Sequence, residues 1–236
     1  MSGRLPGVLN LSDSAARYTT IGKQLCGLTN PSIFWEDYTK ITTTVSTTAA
    51  PVGWEITNRT NGTANPRNTL SGGVYLLDST ATANSSIDIV SCATVLRNTK
   101  TQAWYWASEW AIPAAVDGVA WVMNILEELV AGNVIGAGVR GVGGFTNFHM
   151  MYNLLSGVAY LDYGVAVDTA RHITEIWSIG TDNKLYTRMD AGAIQSVTNA
   201  DGTNQNVYLR KNCRNGATAA ARQIAPRWDL ILSPQE

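Results

Sequence analysis

Charge is what this chain has least of. Lys and Arg number 17 and Asp and Glu 18 in 236 residues, so 15% of the chain is charged and the formal net charge is -1. Soluble domains ordinarily carry roughly a quarter. A balance this thin and even offers no field to gather nucleic acid or an anionic membrane, so neither is expected as a partner. Cysteine is scarce as well. Cys26, Cys92 and Cys213 are odd in number, far apart and without a CxxC pair. That argues against a disulfide framework and against a thiolate zinc site, and leaves buried, unreactive thiols as the expectation. Long apolar runs are missing too. The longest without a turn residue, Val119–Leu126, is far short of a membrane span. The opening MSGRLPGVLNLSDSAARYTT has no apolar core of a secretion signal, so the expectation is a protein made in the cytosol and not exported by a signal peptide.

Catalytic patterns are equally thin. Gly136-Ala-Gly138-Val-Arg-Gly141 has the GxGxxG form, but VGGFTNFHM follows it. Gly143 and Gly144 then stand where a phosphate-binding helix would have to start, and glycine costs a helix about 1 kcal/mol per position. A glycine-rich strand is the better reading. The two histidines, His149 and His172, lack HExxH spacing, and no GxSxG occurs. Retaining glycosidases need two carboxyls about 5 Å apart. Glu127 and Glu128 would face opposite ways on a strand, and Asp88, Glu109 and Glu175 have no close partner in sequence. For a cation, the oxygen-rich stretches are Asp182-Asn183 and Asp201/Asn204/Asn206, both ordinary turn compositions. No cofactor, metal ligand or catalytic residue is assigned.

What is present is a neutral polar and apolar mixture, 45% hydrophobic with 21 glycines. Strand-like segments recur every 10–15 residues or so between Asn, Gly, Asp and Pro clusters: Gly53–Thr57, Val74–Leu77, Ile87–Leu96, Thr101–Ile112, Tyr160–Val167 and Trp228–Leu232. Thr42–Thr48 is a polar run of high strand propensity, and Asn58–Asn68 reads as a loop. Arg171–Trp177, the turn Gly180-Thr-Asp-Asn183 and Lys184–Met189 form a hairpin signature. Val119–Val130 fits helix and strand spacing alike; its strand neighbours favour strand for 118–126. Residues 1–33 lack periodicity, with Gly3, Pro6, Gly7, Gly22, Gly27 and Pro31 scattered through them, and read as an extended N-terminal arm ahead of a domain at 34–236. The aromatic cluster Trp104-Tyr-Trp106-Ala-Ser-Glu-Trp110 puts Trp104, Trp106 and Trp110 on one face of a strand. Such a face is either a core wall or, if exposed, a platform for sugar rings.

The segment Gly164-Val-Ala-Val167-Asp168-Thr169, followed by Arg171-His172-Ile-Thr-Glu-Ile-Trp177, a turn and Lys184–Asp190-Ala-Gly192, resembles the concanavalin A-like lectin/glucanase sandwich. More narrowly it is similar to versions carried on virion proteins of tailed bacteriophages. The resemblance covers about residues 35–233 and implies an all-β, antiparallel two-sheet jelly roll. Glucanase relatives carry an ExDxxE strand; SSIDIV and ARHITEIW each hold one carboxylate, so no catalytic role is carried over. The implied function is a non-enzymatic structural protein of a phage virion, as a capsid decoration, head fibre or tail appendage. It would attach to other virion proteins through the arm and assemble as a homo-oligomer, for example a trimer. The alternative is a carbohydrate-binding module for host adhesion.

Overall fold

The structure is a computed structural model that describes residues 13–38, 54–60, 63–67, 74–78, 86–97, 101–113, 121–127, 134–140, 146–154, 157–199, 206–214 and 223–235. Two antiparallel sheets lie face to face. The first runs β14 (Gln195–Thr198), β13 (Lys184–Met189), β12 (Arg171–Ile179), β7 (Ala103–Ala111), β16 (Gln223–Ser233), β4 (Val74–Asp78), β3 (Thr63–Arg67), with β1 (Ser32–Asp37) also on β16. The second runs β11 (Gly157–Ala166), β10 (Asn147–Leu154), β9 (Val134–Arg140), β8 (Trp121–Glu127), β15 (Asn206–Arg214), β5 (Ser86–Ser91), β2 (Trp54–Thr60), with β6 (Leu96–Arg97) also on β15. The chain is therefore the antiparallel sandwich that the sequence predicts.

The core fills the space between the sheets. Trp104, Trp106, Trp110, Ile176 and Ile231 of the first meet Ile87, Ile89, Leu126, Phe148, Met150 and Leu209 of the second. Alternation produces this directly. In β15 (NVYLRKNCR) Val207, Leu209, Lys211 and Cys213 point inward and are buried, while their neighbours are half-buried or exposed. The GxGxxG glycines Gly136 and Gly138 sit in β9, a middle strand of the second sheet, not ahead of a helix. The ambiguous Val119–Val130 contains a strand, Trp121–Glu127. The Arg171–Met189 hairpin closes at Gly180 and Asn183, both at positive φ.

Four expectations are corrected. Residues 13–26 are not an extended arm: Asp13–Cys26 is an α-helix, α1, packed on β7, β12 and β16. Its buried residues, Ala15, Tyr18, Thr19, Gly22 and Cys26, follow helical spacing, and together they cover the outer apolar side of the first sheet at Tyr105, Ala107, Trp228, Leu230 and Leu232. Gly27 ends the helix at φ 65, with Leu28 N donating to Lys23 O at 3.1 Å. This is a Schellman closure that glycine makes without strain. Within the predicted loop 58–68, Thr63–Arg67 is β3. It holds Pro66 because a strand at the sheet margin need not donate every ladder bond. Asn206–Arg214, to which the sequence reading assigned no element, is β15. Cys92 is exposed, unlike Cys26 and Cys213, because it follows the end of β5. The Thr42–Thr48 run lies outside the described residues, as do residues 1–12.

Candidate functional site

The aromatic platform does not form. Trp104, Trp106 and Trp110 are 0%, 1% and 0% exposed, on the inner face of β7. Trp110 meets the Phe148 edge at 5.4 Å, and its Nε1 donates to Thr174 Oγ1 at 3.1 Å. The tryptophan face is one wall of the core, and none of its three rings is left for a sugar to stack on. The physical reason is area: three indoles on one face have a large apolar surface to bury.

The buried carboxylates are engaged. Glu175 takes a fork of two hydrogen bonds from Arg188, at 2.6 and 2.8 Å, and one from Tyr105 OH at 2.6 Å. Glu109 accepts from Arg227 Nη1 at 2.7 Å and Trp228 Nε1 at 2.6 Å. These two glutamates are diagonal neighbours across β7 and β12, Glu109 facing Ile173 in register. They lie on the side of the sheet where α1 packs. Asp88 accepts from Arg210 Nη2 at 2.6 Å and from Asn212 Nδ2. Its row across the second sheet runs through Asn212, Met123, Gly138 and His149 to Asp162. Five strand spacings place Asp88 and Asp162 about 24 Å apart, too far for the carboxyl pair of sugar hydrolysis. The side chain of Glu127 and all of Glu128 lie outside the described residues.

The histidines are placed differently. His149 is buried in β10 beside the Asn147 carbonyl, 2.8 Å from Nδ1, with Asp162 at 3.9 Å. His172 is clamped between two carboxylates, Nδ1 to Asp190 at 2.6 Å and Nε2 to Asp168 at 2.8 Å, and its ring lies against Phe148. Burial alone would lower the imidazole's affinity for a proton, but the two carboxylates outweigh it and the pKa is raised. Among the described residues no three His, Cys, Asp or Glu side chains are placed to hold a metal. Asp182 instead accepts from Lys184 N at 3.1 Å and from Tyr186 OH, and Asp201 and Asn204 lie outside the described residues.

A cleft of about 400 Å³ opens beside β1 and β6, the two strands that lie off the main sheet paths. Ser32 and Phe34 line it from β1, Thr94 and Arg97 from the β6 segment, Gln102 from the start of β7, and Gln235 from the C-terminal end. Its polar groups are hydroxyls, amides and one guanidinium, and Phe34 is half-buried against the core. This is small-ligand volume with convergent hydrogen-bond groups and one ring. Sequence reasoning missed it, because its walls come from residues up to two hundred apart; paired short strands leaving both sheets at one place are the signal, and they become visible only once the register is known.

No family model matches the chain, and no curated protein matches it. Solved structures of the same fold do. A peanut lectin crystallised with a nine-residue peptide has a TM-score of 0.58 at 10% identity, covering 86% of this chain and 97% of the lectin. A glycoside hydrolase family protein from Mycobacterium thermorestibile has a TM-score of 0.56 at 14% identity, with coverages of 84% and 99%. A carbohydrate esterase from the Shiga toxin-encoding bacteriophage phi24B has a TM-score of 0.52 at 12% identity, with coverages of 78% and 91%. At these identities the likeness is one of fold: the chain has the sandwich of the concanavalin A-like lectins and glucanases.

Proposed function

We propose that this chain is a non-catalytic, glycan-binding sandwich carried on a phage particle. The cleft beside β1 and β6 carries the glycan half of that reading. Sugar hydroxyls are neutral donors and acceptors, and Ser32, Thr94, Gln102 and Gln235 are neutral partners for them around one aromatic ring, Phe34. The engaged state of Glu109, Glu175 and Asp88 supports binding over hydrolysis. Lectin and carbohydrate-enzyme neighbours of the same fold support the substrate class. A glycan array tests it: binding that Arg97→Ala and Gln102→Ala each reduce at least tenfold is the expected result, and an empty array at high protein density overturns it. Release of reducing sugar from a polysaccharide panel would replace binding with hydrolysis.

The phage half rests on the neutral polar composition, suited to packing against copies of the chain or a shell, and on the phage esterase of the same fold. The attachment element is residues 1–12, since α1 is committed to the sandwich. Removing 1–12 should leave a folded domain that no longer decorates particles; decoration by that truncated chain would end the attachment role. Removing 1–30 would be a poor test, because it strips the helix from Trp228 and Tyr105.

A further inference from the structure

One lysine of this protein has no contact with water. Lys211 is 0% exposed on the inner face of β15. Its Nζ donates to Asp229 Oδ2 of β16 at 2.6 Å and to Asn124 Oδ1 of β8. Asp229 and Asn124 are likewise 0% exposed. Asn124 stands directly opposite Lys211 in the β8–β15 register. Its amide nitrogen donates to Ser108 Oγ at 2.5 Å, and Ser108 is the register partner of Asp229. Two more donors fix the aspartate: Tyr38 OH at 2.8 Å and Trp106 Nε1 at 3.0 Å. The rings of Tyr38 and Trp106 flank the ammonium, at 5.4 and 5.9 Å.

This is an expensive arrangement if it serves packing alone. A buried ion pair seldom stabilises a core more than apolar residues of the same volume would. A lysine held against an aspartate needs no asparagine on its other side, yet here a carboxamide carbon sits one C=O bond, about 1.2 Å, from the oxygen that Nζ touches. An amine, an amide carbonyl and a carboxylate in a site closed to bulk solvent are the three parts of an acyl transfer, with the reactants already in place.

We propose that Lys211 and Asn124 join through a side-chain isopeptide bond, with Asp229 as the proton-transfer group. Asp229 takes a proton from the Lys211 ammonium. The freed amine attacks Asn124 Cγ, and the C–O double bond opens to a tetrahedral oxyanion. The oxyanion collapses as the Cγ–Nδ2 bond breaks. Nδ2 leaves with its two hydrogens and gains the second amine proton, so that one ammonia departs. The products are a secondary amide, ammonia and a protonated Asp229, which matches the starting ammonium, carboxylate and carboxamide atom for atom and charge for charge. Burial favours the first step, because it pulls the lysine towards its neutral, nucleophilic form. Closure from bulk solvent protects the product from hydrolysis. The bond would rivet β8 to β15 in the middle of the second sheet.

Intact mass spectrometry of the purified full-length chain decides the matter. The expected mass is that of the sequence less one ammonia, and a digest should yield one branched peptide containing Asn124 and Lys211. Lys211→Arg, Asn124→Asp and Asp229→Asn separate the roles. The arginine variant should keep its full mass. The aspartate variant should lose one water instead of ammonia, or nothing. Asp229→Asn should keep its full mass in soluble, folded protein. A wild-type chain at full mass after prolonged incubation overturns the proposal. So does a deficit whose digest maps it elsewhere, or a folded Asp229→Asn protein that crosslinks as fast as wild type. Because the wild-type mass is decisive alone, a variant that fails to fold does not remove the test.

Discussion

Gly22 lies so close to Tyr105 that a Cβ built on the glycine would stand 2.5 Å from ring carbon Cδ1, and 2.7 Å from Leu232 Cδ1. Glycine is required here by proximity, since its φ is ordinary, and it lets α1 sit directly on β7 and β16. Gly22→Ala should therefore destabilise the fold by about 1–3 kcal/mol despite alanine's better helix propensity. Urea unfolding measures it, with Gly27→Ala as a comparison where the added Cβ meets nothing and only the positive φ resists. A Gly22→Ala chain as stable as wild type would mean that the helix rides higher on the sheet than described.

His172 predicts a pH dependence. Its folded pKa is raised, so the stability it adds is fully present below the ordinary imidazole value, about 6.5, and is lost as pH rises through the folded pKa. Asp168 is held below the usual carboxylate range by its hydrogen bonds from His172 and the Ala170 amide. Its share is present above the ordinary value and is lost as pH falls through the lowered one. The clamp is thus strongest in mildly acidic solution. Both aspartates are half exposed, so the gain over His172→Asn should be no more than about 1 kcal/mol. Unfolding midpoints at pH 5.5 and 8.5 test this: the wild-type advantage should shrink at the higher pH, and an advantage that grows would contradict the sign.

Glu36 should act in the opposite sense from an ordinary carboxylate. Burial, then the nearby Asp229 charge, pushes its pKa up to about 7. Between the unfolded value and that one the native state holds the extra proton, so stability falls as pH rises through this window. Glu36→Gln should flatten the slope and stabilise the protein above pH 7 by up to about 2 kcal/mol. Denaturation curves from pH 5 to 8 measure it; a variant that follows the wild-type slope would assign the dependence to another group.

The Glu175–Arg188 fork lies at the edge of the helix-covered face, with the glutamate side chain 2% exposed. Removing the cation leaves that charge buried, so Arg188→Ala should cost about 3–5 kcal/mol. Arg188→Ala with Glu175→Gln should recover part of the loss, and thermal melts of the single and double variants read the difference. Equal losses would show that Arg188 matters for its packing and not its charge.

Much of the sandwich was legible in the sequence because its strands alternate and its turns carry Gly, Asn and Asp. The KLYTRM strand shows this best, each second residue being buried. The helix was not legible. Its inward face is Ala15, Tyr18, Thr19, Gly22 and Cys26, small or weakly apolar residues, and the glycine that makes the contact is the one that reads as a break. The tryptophan cluster showed its strand but not its direction. Period-two spacing puts Trp104, Trp106 and Trp110 on one face, and only the presence of a second sheet makes that face the inner one. Lys211 left a readable trace: it holds an inward position in the Val207, Leu209, Lys211, Cys213 series, where an ammonium is out of place. The cleft left none, since no local pattern brings Phe34, Arg97 and Gln235 together.

The pairing of β1 with β16, Ser32 to Ser233 and onward to Asp37 with Trp228, joins the first described strand to the last. β16 also holds β7 on its other side and β4 at its start. β16 is thus the strand on which β1, β4 and β7 all depend. Until β16 is in place, β1 lacks the strand it pairs with and β7 lacks one of its two neighbours. Folding is slowed by closing loops of about two hundred residues. Deleting Gln223–Ser233 would remove the partner of three strands at once.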